Sequence, residues 1–246
     1  MFQQTVTKYQ KLSRSKIDLF VQCELCFYLD RVKSIPRPAG LPFTLNTAVD
    51  TVLKTEFDIY REKGARHPLM EKYAVDAVPA KHPKLDIWRQ NFKGIKYDHD
   101  DSQLTITGAI DDLWINFNNE YIIVDYKSTS KGEQITKLDK AWHAGYKRQM
   151  EIYQWLFAKN GFKVSPTGYF VYCNAITSGK TFDNKLDFEV TLIPYEGDYS
   201  WVDSKLLEIR ECLSGDKYPA SHPDCDVCRY YESRYKDTPS QLNINF

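Results

Sequence analysis

Two aspartates and a lysine form the combination of side chains in this sequence that is best suited to chemistry. Asp111 lies in the segment Gly-Ala-Ile-Asp-Asp, and Asp125 and Lys127 follow as Asp-Tyr-Lys. Residues i and i+2 of a strand face the same way, so Asp125 and Lys127 share one face, and antiparallel pairing can bring Asp111 alongside them. Two carboxylates that close repel each other unless a divalent cation lies between them, and oxygen ligands suit Mg²⁺ or Mn²⁺. A lysine beside such a metal can position or deprotonate a water for phosphodiester hydrolysis.

An ordinary solvated strand face is the alternative for these residues, because Asp-x-Lys is a common pattern. However, Asp125 directly follows the apolar run 121–124, which places it at the end of a buried strand. Gln149 and Tyr153 are spaced i, i+4 on a later helix and therefore share one face. Together they can hold a nucleotide or the catalytic lysine, and a core tyrosine with an incidental glutamine is the alternative.

Four of the six cysteines form two Cys-x-x-Cys pairs, Cys23 with Cys26 and Cys225 with Cys228. Four thiolates are the number that a structural zinc or a 4Fe-4S cluster requires. Simple burial in a helix would also explain the first pair. The second pair lies in a polar, proline-containing segment, which is a poor place to bury unliganded thiols. A metal held by both pairs would join the two ends of the chain.

The pattern of apolar residues predicts both helices and strands, and these elements must position the side chains described above. Helical spacing predicts helices over residues 13–31, 46–60, 140–160 and 201–213. Alternating or continuous apolar residues predict strands over residues 103–117, 121–127, 168–174 and 188–194, the first two joined by a turn at Asn118-Asn119. Residues 66–96 are expected to form loops and short helices. The resulting order predicts an α/β domain, with Cys173 and Cys212 in its core.

Length and composition are those of one globular domain. The chain has 246 residues, of which 42% are hydrophobic, and 33 basic residues balance 33 acidic ones. Zero net charge argues against a broad, histone-like attraction to nucleic acid and leaves room for a basic groove balanced by acidic residues elsewhere. No run approaches the roughly 18 apolar residues of a membrane span, and the N-terminus lacks the apolar region of a secretory signal. We therefore expect a cytoplasmic protein without membrane contact, in which thiols stay reduced.

Four segments, in this order, resemble the RecB-like branch of the PD-(D/E)xK nuclease superfamily. They are LSRSKIDLFVQC, Gly-x-x-Asp ending at Asp111, Asp-x-Lys ending at Lys127, and Gln-x-x-x-Tyr ending at Tyr153. The resemblance spans residues 12–231 and implies a restriction-endonuclease-like core with a mixed sheet flanked by helices. On this basis residues 1–235 are expected to form the nuclease domain and residues 236–246 a flexible tail.

The resemblance also implies metal-dependent cleavage of DNA. Asp111, Asp125 and the backbone carbonyl of Tyr126 would bind the metal, and Lys127 would act on the attacking water. The branch usually has a histidine ligand on its second helix, and Asp50 stands at the matching position here. Aspartate is a hard oxygen donor, so it can serve Mn²⁺ or Mg²⁺ in place of the histidine.

The cysteine pairs resemble those of an iron-sulfur subset of the same branch, which joins one N-terminal cysteine to a C-terminal cluster through a 4Fe-4S centre. That subset usually has three C-terminal ligands, whereas this chain has two, so Cys26 would supply the fourth ligand beside Cys23. This departure leaves structural Zn²⁺ as the alternative to the 4Fe-4S cluster.

DNA is the partner that the resemblance implies, and single-stranded or end-containing DNA in recombination, repair or CRISPR adaptation is the expected substrate. Basic residues of the N-terminal segment and of residues 131–148 could contact phosphates, while Trp142, Tyr146 and Tyr126 could stack on unpaired bases. The alternative places the charges in solvent and the aromatic rings in the core.

Other partners follow from the kind of protein that the branch contains. A helicase or integrase partner is plausible, since members of the branch act as subunits or fused domains. Residues 241–246, which begin at Gln241 and end at Phe246, resemble a sliding-clamp-binding peptide. The rival interpretations are a catalytically inactive DNA-binding or scaffolding module, favoured by Asp50, and a zinc-stabilised protein-interaction domain.

Overall fold

Eight strands and eight α-helices are formed by the residues that the computed structural model describes, which are 9–41, 44–179 and 181–237. The strands are β1 (Gln10–Ser13), β2 (Ala77–Pro79), β3 (Ile95–His99), β4 (Leu104–Gly108), β5 (Asp112–Asn116), β6 (Tyr121–Thr129), β7 (Thr167–Ala175) and β8 (Phe188–Glu196). The helices are α1 (Arg14–Gln22), α2 (Glu24–Arg31), α3 (Thr44–Lys63), α4 (Pro68–Lys72), α5 (Leu85–Trp88), α6 (Ala144–Lys159), α7 (Val202–Ser214) and α8 (Asp226–Asp237). A short 3₁₀ turn, Ala141–His143, precedes α6.

A five-stranded mixed sheet in the order β2-β5-β6-β7-β8 forms the centre of the fold. Strands β6 and β7 are parallel, and the other neighbouring pairs are antiparallel. The crossover between the parallel strands contains α6, because a parallel pair needs a long connection. A second, three-stranded sheet has the order β1-β4-β3. The predicted α/β class and the mixed sheet flanked by helices are confirmed.

Alternating side chains of the large sheet pack into two apolar layers, one on each face of the sheet. Ile123 of β6 and Phe170 of β7 pack in the layer that α1, α6 and α7 cover. Val124 and Val171, one position along each strand, pack in the opposite layer beneath α3 and α4. The period of two explains this division, since neighbouring residues of a strand point to opposite faces. The end of β6 therefore presents residues toward both α6 and α3.

One long strand was expected over residues 103–117, and the structure contradicts this. The segment forms β4 and β5, which belong to different sheets. Between them, the N–H of Ile110 donates to the carbonyl oxygen of Trp88 instead of a strand partner. Apolar residues alternate on both sides of the break, at Leu104 and Ile106 and then at Leu113 and Ile115, but the phase shifts by one position across Asp111-Asp112. Asp111 consequently lies in the connection immediately before β5 and not within a strand.

The predicted helix over residues 13–31 is likewise two helices, α1 and α2. Cys23 separates them with an extended backbone, at φ −169° and ψ 110°. Four further elements were not expected from the sequence: the short strands β1, β2 and β3, and the polar helix α8. The helices predicted over 46–60, 140–160 and 201–213 are present as α3, α6 and α7 with shifted ends.

Within the described residues, no helix combines the length and the apolar character needed to cross a membrane. The last predicted segment, residues 241–246, lies outside the described residues.

Candidate active site and cysteine cluster

The predicted acidic residues meet where β5 and β6 pair. Asp112 is opposite Val124 in the antiparallel register, which places the preceding Asp111 beside the end of β6. The Asp111 carboxylate accepts a hydrogen bond of 2.9 Å from the N–H of Tyr126. On the same strand the Asp125 carboxylate, which is fully buried, forms an ion pair with the Lys127 ammonium. The shared face of Asp125 and Lys127 and the approach of Asp111 were both predicted.

Gln149 of α6 links the two charged residues of β6. Its Nε2 donates to Asp125 Oδ1 at 2.6 Å, and its Oε1 accepts from Lys127 Nζ at 3.4 Å. The same Nε2 lies 3.4 Å from the Tyr153 hydroxyl, one helical turn further on. Gln149 therefore contacts both the carboxylate and the lysine, whereas Tyr153 contacts Gln149 and is otherwise packed in the core; their functional role stays a prediction.

Gly108 of the Gly-x-x-Asp segment is needed because Tyr153 lies against its backbone. A Cβ added at Gly108 would lie 2.6 Å from Cε1 of Tyr153. Any larger residue would push the tyrosine, and with it α6, away from β4. One packing contact thus joins Gly108 and Tyr153, which belong to two motifs that are distant in sequence.

Burial and neighbouring charges act against each other in this cluster. Burial raises the pKa of Asp125 to about 6, with Lys127 opposing the shift and the Asp111 charge adding to it. Burial alone would lower the pKa of Lys127, but the carboxylates of Asp125 and Asp111 raise it above the ordinary value. Among the described residues, Asp125 Oδ2 has no hydrogen-bond partner besides the Lys127 ammonium with which it forms the ion pair.

Asp50 reaches the cluster through a lysine. It lies on α3, and Lys54 Nζ is 2.7 Å from Asp50 Oδ2 and 3.7 Å from Asp111 Oδ1. Burial and the Asp111 charge raise the pKa of Asp50. An ammonium held by two carboxylates shows that this position favours a cation. Among the described residues, however, the carboxylate oxygens of the three aspartates do not come together into a three-ligand metal site.

A buried ion-pair network that the sequence analysis missed lies behind the site. The Asp112 carboxylate has no exposed surface and pairs with Arg61 of α3 and with Arg89, whose guanidinium is 2.6 Å away. It also accepts from the Tyr126 hydroxyl at 2.8 Å and from Trp114 Nε1 at 3.2 Å. Burial opposes the charge of Arg89, but Asp112 and Asp58 raise its pKa. The Asp-Asp sequence was a signal that two carboxylates must face opposite ways.

Tyr126 is fixed by the same network. Its ring is buried beneath α3, and burial and Asp112 raise the pKa of its hydroxyl well above the usual value. The prediction that Tyr126 stacks on a base is therefore wrong, because the ring is 7% exposed. Trp142 is half exposed, and the Tyr146 ring centre lies 4.6 Å from Lys127 Nζ. Those two aromatic residues remain beside the site.

The four paired cysteines converge although the pairs are about two hundred residues apart. Their sulfur atoms all lie within 4.8 Å of one another, and all four side chains are buried. The Sγ of Cys26 is 3.6 Å from both Cys225 and Cys228, and Cys23 is 3.8 Å from Cys228. The extended backbone at Cys23 turns both members of the first pair toward α8. The prediction that both pairs form one four-cysteine cluster is confirmed, and the identity of a bound metal stays a prediction.

Two hydrogen bonds from outside the cluster reach its sulfur atoms. Arg37 donates to Cys225 Sγ at 3.3 Å, and the N–H of His222 donates to Cys23 Sγ at 3.5 Å. Burial raises the pKa of the Cys26 thiol, while the nearby Arg37 guanidinium opposes that shift. The other two cysteines fit their predicted places, Cys173 in the core and Cys212 half-buried against it.

Comparison with known families matches residues 45–233 to the PD-(D/E)XK nuclease superfamily. No curated protein sequence matches the chain. Among solved structures, the one described as "Crystal structure of SSO0001" is 15% identical with a TM-score of 0.41, covering 85% of this chain and 79% of that chain.

The Asp112→Asn change should lower the free energy of unfolding by about 3 to 5 kcal/mol, because Arg61 and Arg89 would each lose the carboxylate that balances their charge inside the protein. Urea denaturation measures the change. Asp76→Asn is the matched control, since Asp76 pairs with Arg66 on the surface with 71% of its side chain exposed. Breaking that pair should cost less than about 1 kcal/mol. Equal losses in the two variants would show that the Asp112 network does not support the fold.

Proposed function

This chain belongs to the PD-(D/E)XK nuclease superfamily, and from that premise we propose that it hydrolyses DNA phosphodiester bonds with Mg²⁺ or Mn²⁺. The observation that carries the proposal is the buried Asp125 carboxylate, which is held by Lys127 and Gln149 beside Asp111. A fully buried carboxylate costs stability unless it is well paired, and a buried acid with a shifted pKa is typical of functional sites.

The donor atoms at the site suit a hard divalent cation. Asp111 and Asp125 supply carboxylate oxygens and Tyr126 supplies a carbonyl, and Mg²⁺ and Mn²⁺ prefer such ligands. Asp125 Oδ2 already faces a cation, because it contacts the Lys127 ammonium. The Lys54 ammonium between Asp50 and Asp111 supports the same conclusion. We propose Asp111, Asp125 and the Tyr126 carbonyl as ligands, with Asp50 as a further oxygen donor once Lys54 is displaced.

Such a cation supplies Lewis-acid stabilisation of the charge that develops on the phosphate and lowers the pKa of a water. The protein's own residues then position the reactants. Lys127, whose side chain is 15% exposed, lies at the edge of the site, and its ammonium can donate to the attacking water or to a phosphate oxygen. Gln149 fixes the separation of Asp125 and Lys127, and Tyr153 holds Gln149 from the next turn of α6.

The Asp125→Asn variant should cut DNA at least about 100-fold more slowly, because it removes one of two carboxylates at the centre of the charge stabilisation. Cleavage of end-labelled single- and double-stranded DNA with Mn²⁺ or Mg²⁺ measures the effect, and the products separate exonuclease from endonuclease attack. Asp101→Asn, at an exposed turn, is the control and should cut like the wild type. Equal cleavage by the wild type and Asp125→Asn would refute the assigned site.

A catalytically inactive DNA-binding module is the second candidate, and one observation favours it. Asp50 stands where the branch usually has a histidine. Its carboxylate forms an ion pair with Lys54 instead of completing a metal site with the carboxylates of the other aspartates. The same assay separates the two functions. DNA binding without cleavage by the wild type, in either metal, would support the inactive module.

We further propose that the chain belongs to the RecB-like branch and that the four cysteines hold a 4Fe-4S cluster, with zinc as the alternative. The support is the N-terminal segment, the order of the motifs and the convergence of four buried thiols. Metal and sulfide analysis of anaerobically purified protein should find about four iron atoms per chain in a brown sample. One zinc per chain in a colourless sample would replace the iron-sulfur assignment.

DNA is the proposed binding partner. A helicase that supplies the DNA strand, or an integrase that takes up the product, is the proposed protein partner. We also propose that residues 241–246 bind a sliding clamp as an extended peptide. Removing residues 241–246 should abolish capture by an immobilised bacterial clamp and leave DNA cleavage unchanged. Undiminished capture of the shortened chain would exclude the peptide.

A further inference from the structure

Arg37, in the loop between α2 and α3, donates two hydrogen bonds from its guanidinium and leaves the third nitrogen without a partner among the described residues. One terminal nitrogen donates to Cys225 Sγ at 3.3 Å, and the other donates to Gln22 Oε1 at 3.0 Å. The third nitrogen, Nε, is buried and has no hydrogen-bond partner among the described residues. A half-buried guanidinium that donates one of its hydrogen bonds to a sulfur atom needs an electrostatic reason, because neutral sulfur is a weak acceptor.

A metal on the four cysteines supplies that reason. Four thiolates around Zn²⁺, or around the doubly positive core of an oxidised 4Fe-4S cluster, leave two negative charges in excess. The apolar side chains of Leu19, Leu25 and Val227 pack against the cluster and cannot stabilise that charge. Unbalanced charge in such surroundings is costly, so a cation in contact with the sulfur atoms is needed.

The other charged groups nearby do not take this role. Arg229 follows Cys228 directly, but its guanidinium pairs with Asp226 on the surface of α8. The N–H of His222 donates to Cys23 Sγ and carries no charge. Among the described residues, Arg37 is the one whose charged side chain donates a hydrogen bond to a cluster sulfur atom.

We propose that Arg37 is a positioning residue of the four-cysteine centre, which balances its excess negative charge and keeps the metal bound. The inference rests on the metal centre of the proposed function and holds for either metal. A charge-assisted N–H···S bond draws charge from the thiolate, and partners outside the ligand shell typically change metal affinity by about 10- to 100-fold. In an iron-sulfur cluster the same bond also favours the reduced state, because hydrogen bonds to sulfur set the reduction potential.

A chain of polar contacts fixes the direction of this guanidinium. Gln22 accepts from Arg37 and donates from Nε2 to Asp18 Oδ2 at 2.6 Å. The other oxygen of Asp18 accepts from Arg148 Nε, also at 2.6 Å. Arg148 belongs to α6 and directly precedes Gln149. The surroundings of the cysteine centre and the helix that holds Asp125 and Lys127 therefore share one network.

The test compares Arg37→Met, which keeps the length of the side chain and removes its charge, with Arg37→Lys, which keeps the charge. Co²⁺ is the probe, because its thiolate charge-transfer bands report tetrahedral sulfur ligation directly. Competition with a chelator should show Co²⁺ retention at least about tenfold weaker in Arg37→Met. Arg37→Lys should recover most of the loss, and the control Arg229→Met should match the wild type.

The outcomes separate failure of this inference from failure of the metal centre. A wild-type chain that binds neither Co²⁺ nor iron-sulfur cluster would overturn both. Equal retention by the wild type and Arg37→Met would overturn only the role of Arg37, as would equal loss in the methionine and lysine variants. If the native centre is a 4Fe-4S cluster, its reduction potential should be more negative in Arg37→Met than in Arg37→Lys. Equal potentials would contradict the charge argument.

Discussion

The buried charge of Asp112 is the constraint on which the arrangement of the site depends. A carboxylate without exposed surface must have its charge balanced inside the protein, and Arg61 and Arg89 provide that balance. These partners come from α3 and from the segment after α5, so the pairing fixes both against β5. The Tyr126 hydroxyl adds β6 to the same centre. Neighbouring residues of the chain point in opposite directions, and a fixed Asp112 therefore directs Asp111 toward the end of β6, where it accepts from the N–H of Tyr126.

The two faces of β6 likewise have different partners. Tyr126 faces α3 and secures the strand through Asp112, while Asp125 and Lys127 face α6 and meet Gln149. The Asp125 carboxylate has no exposed surface and cannot be stabilised by water, so α6 must supply a polar partner. Packing of Tyr153 against Gly108 holds α6 at the required distance. Geometry of a few tenths of an ångström at the site thus depends on close packing in the layer beneath it.

The two candidate metal centres of the chain differ in chemistry. Hard carboxylate and carbonyl oxygens lie at the end of β6, and four soft sulfur atoms lie where α2 meets α8. Because oxygen sites favour Mg²⁺ or Mn²⁺ and thiolates favour zinc or iron-sulfur clusters, the proposed centres would not compete for one metal. The first would serve the reaction, and the second would join the ends of the domain. The network through Asp18 and Arg148 is the polar connection between them.

The sequence by itself determined the α/β class, the helices α3, α6 and α7, the strand β6 with its Asp-x-Lys, and the two cysteine pairs. These features depend on periodicity or spacing within about 20 residues, which a local pattern records directly. The tertiary structure alone decided that residues 103–117 belong to two sheets, that Cys23 separates two helices, and that Lys54 stands between Asp50 and Asp111. It also decided the pairing of Arg61 with Asp112 and of Arg37 with Cys225, which are 51 and 188 residues apart. Charge balance in a buried site depends on distance in space, and for such pairs the order of residues along the chain carries no record of that distance.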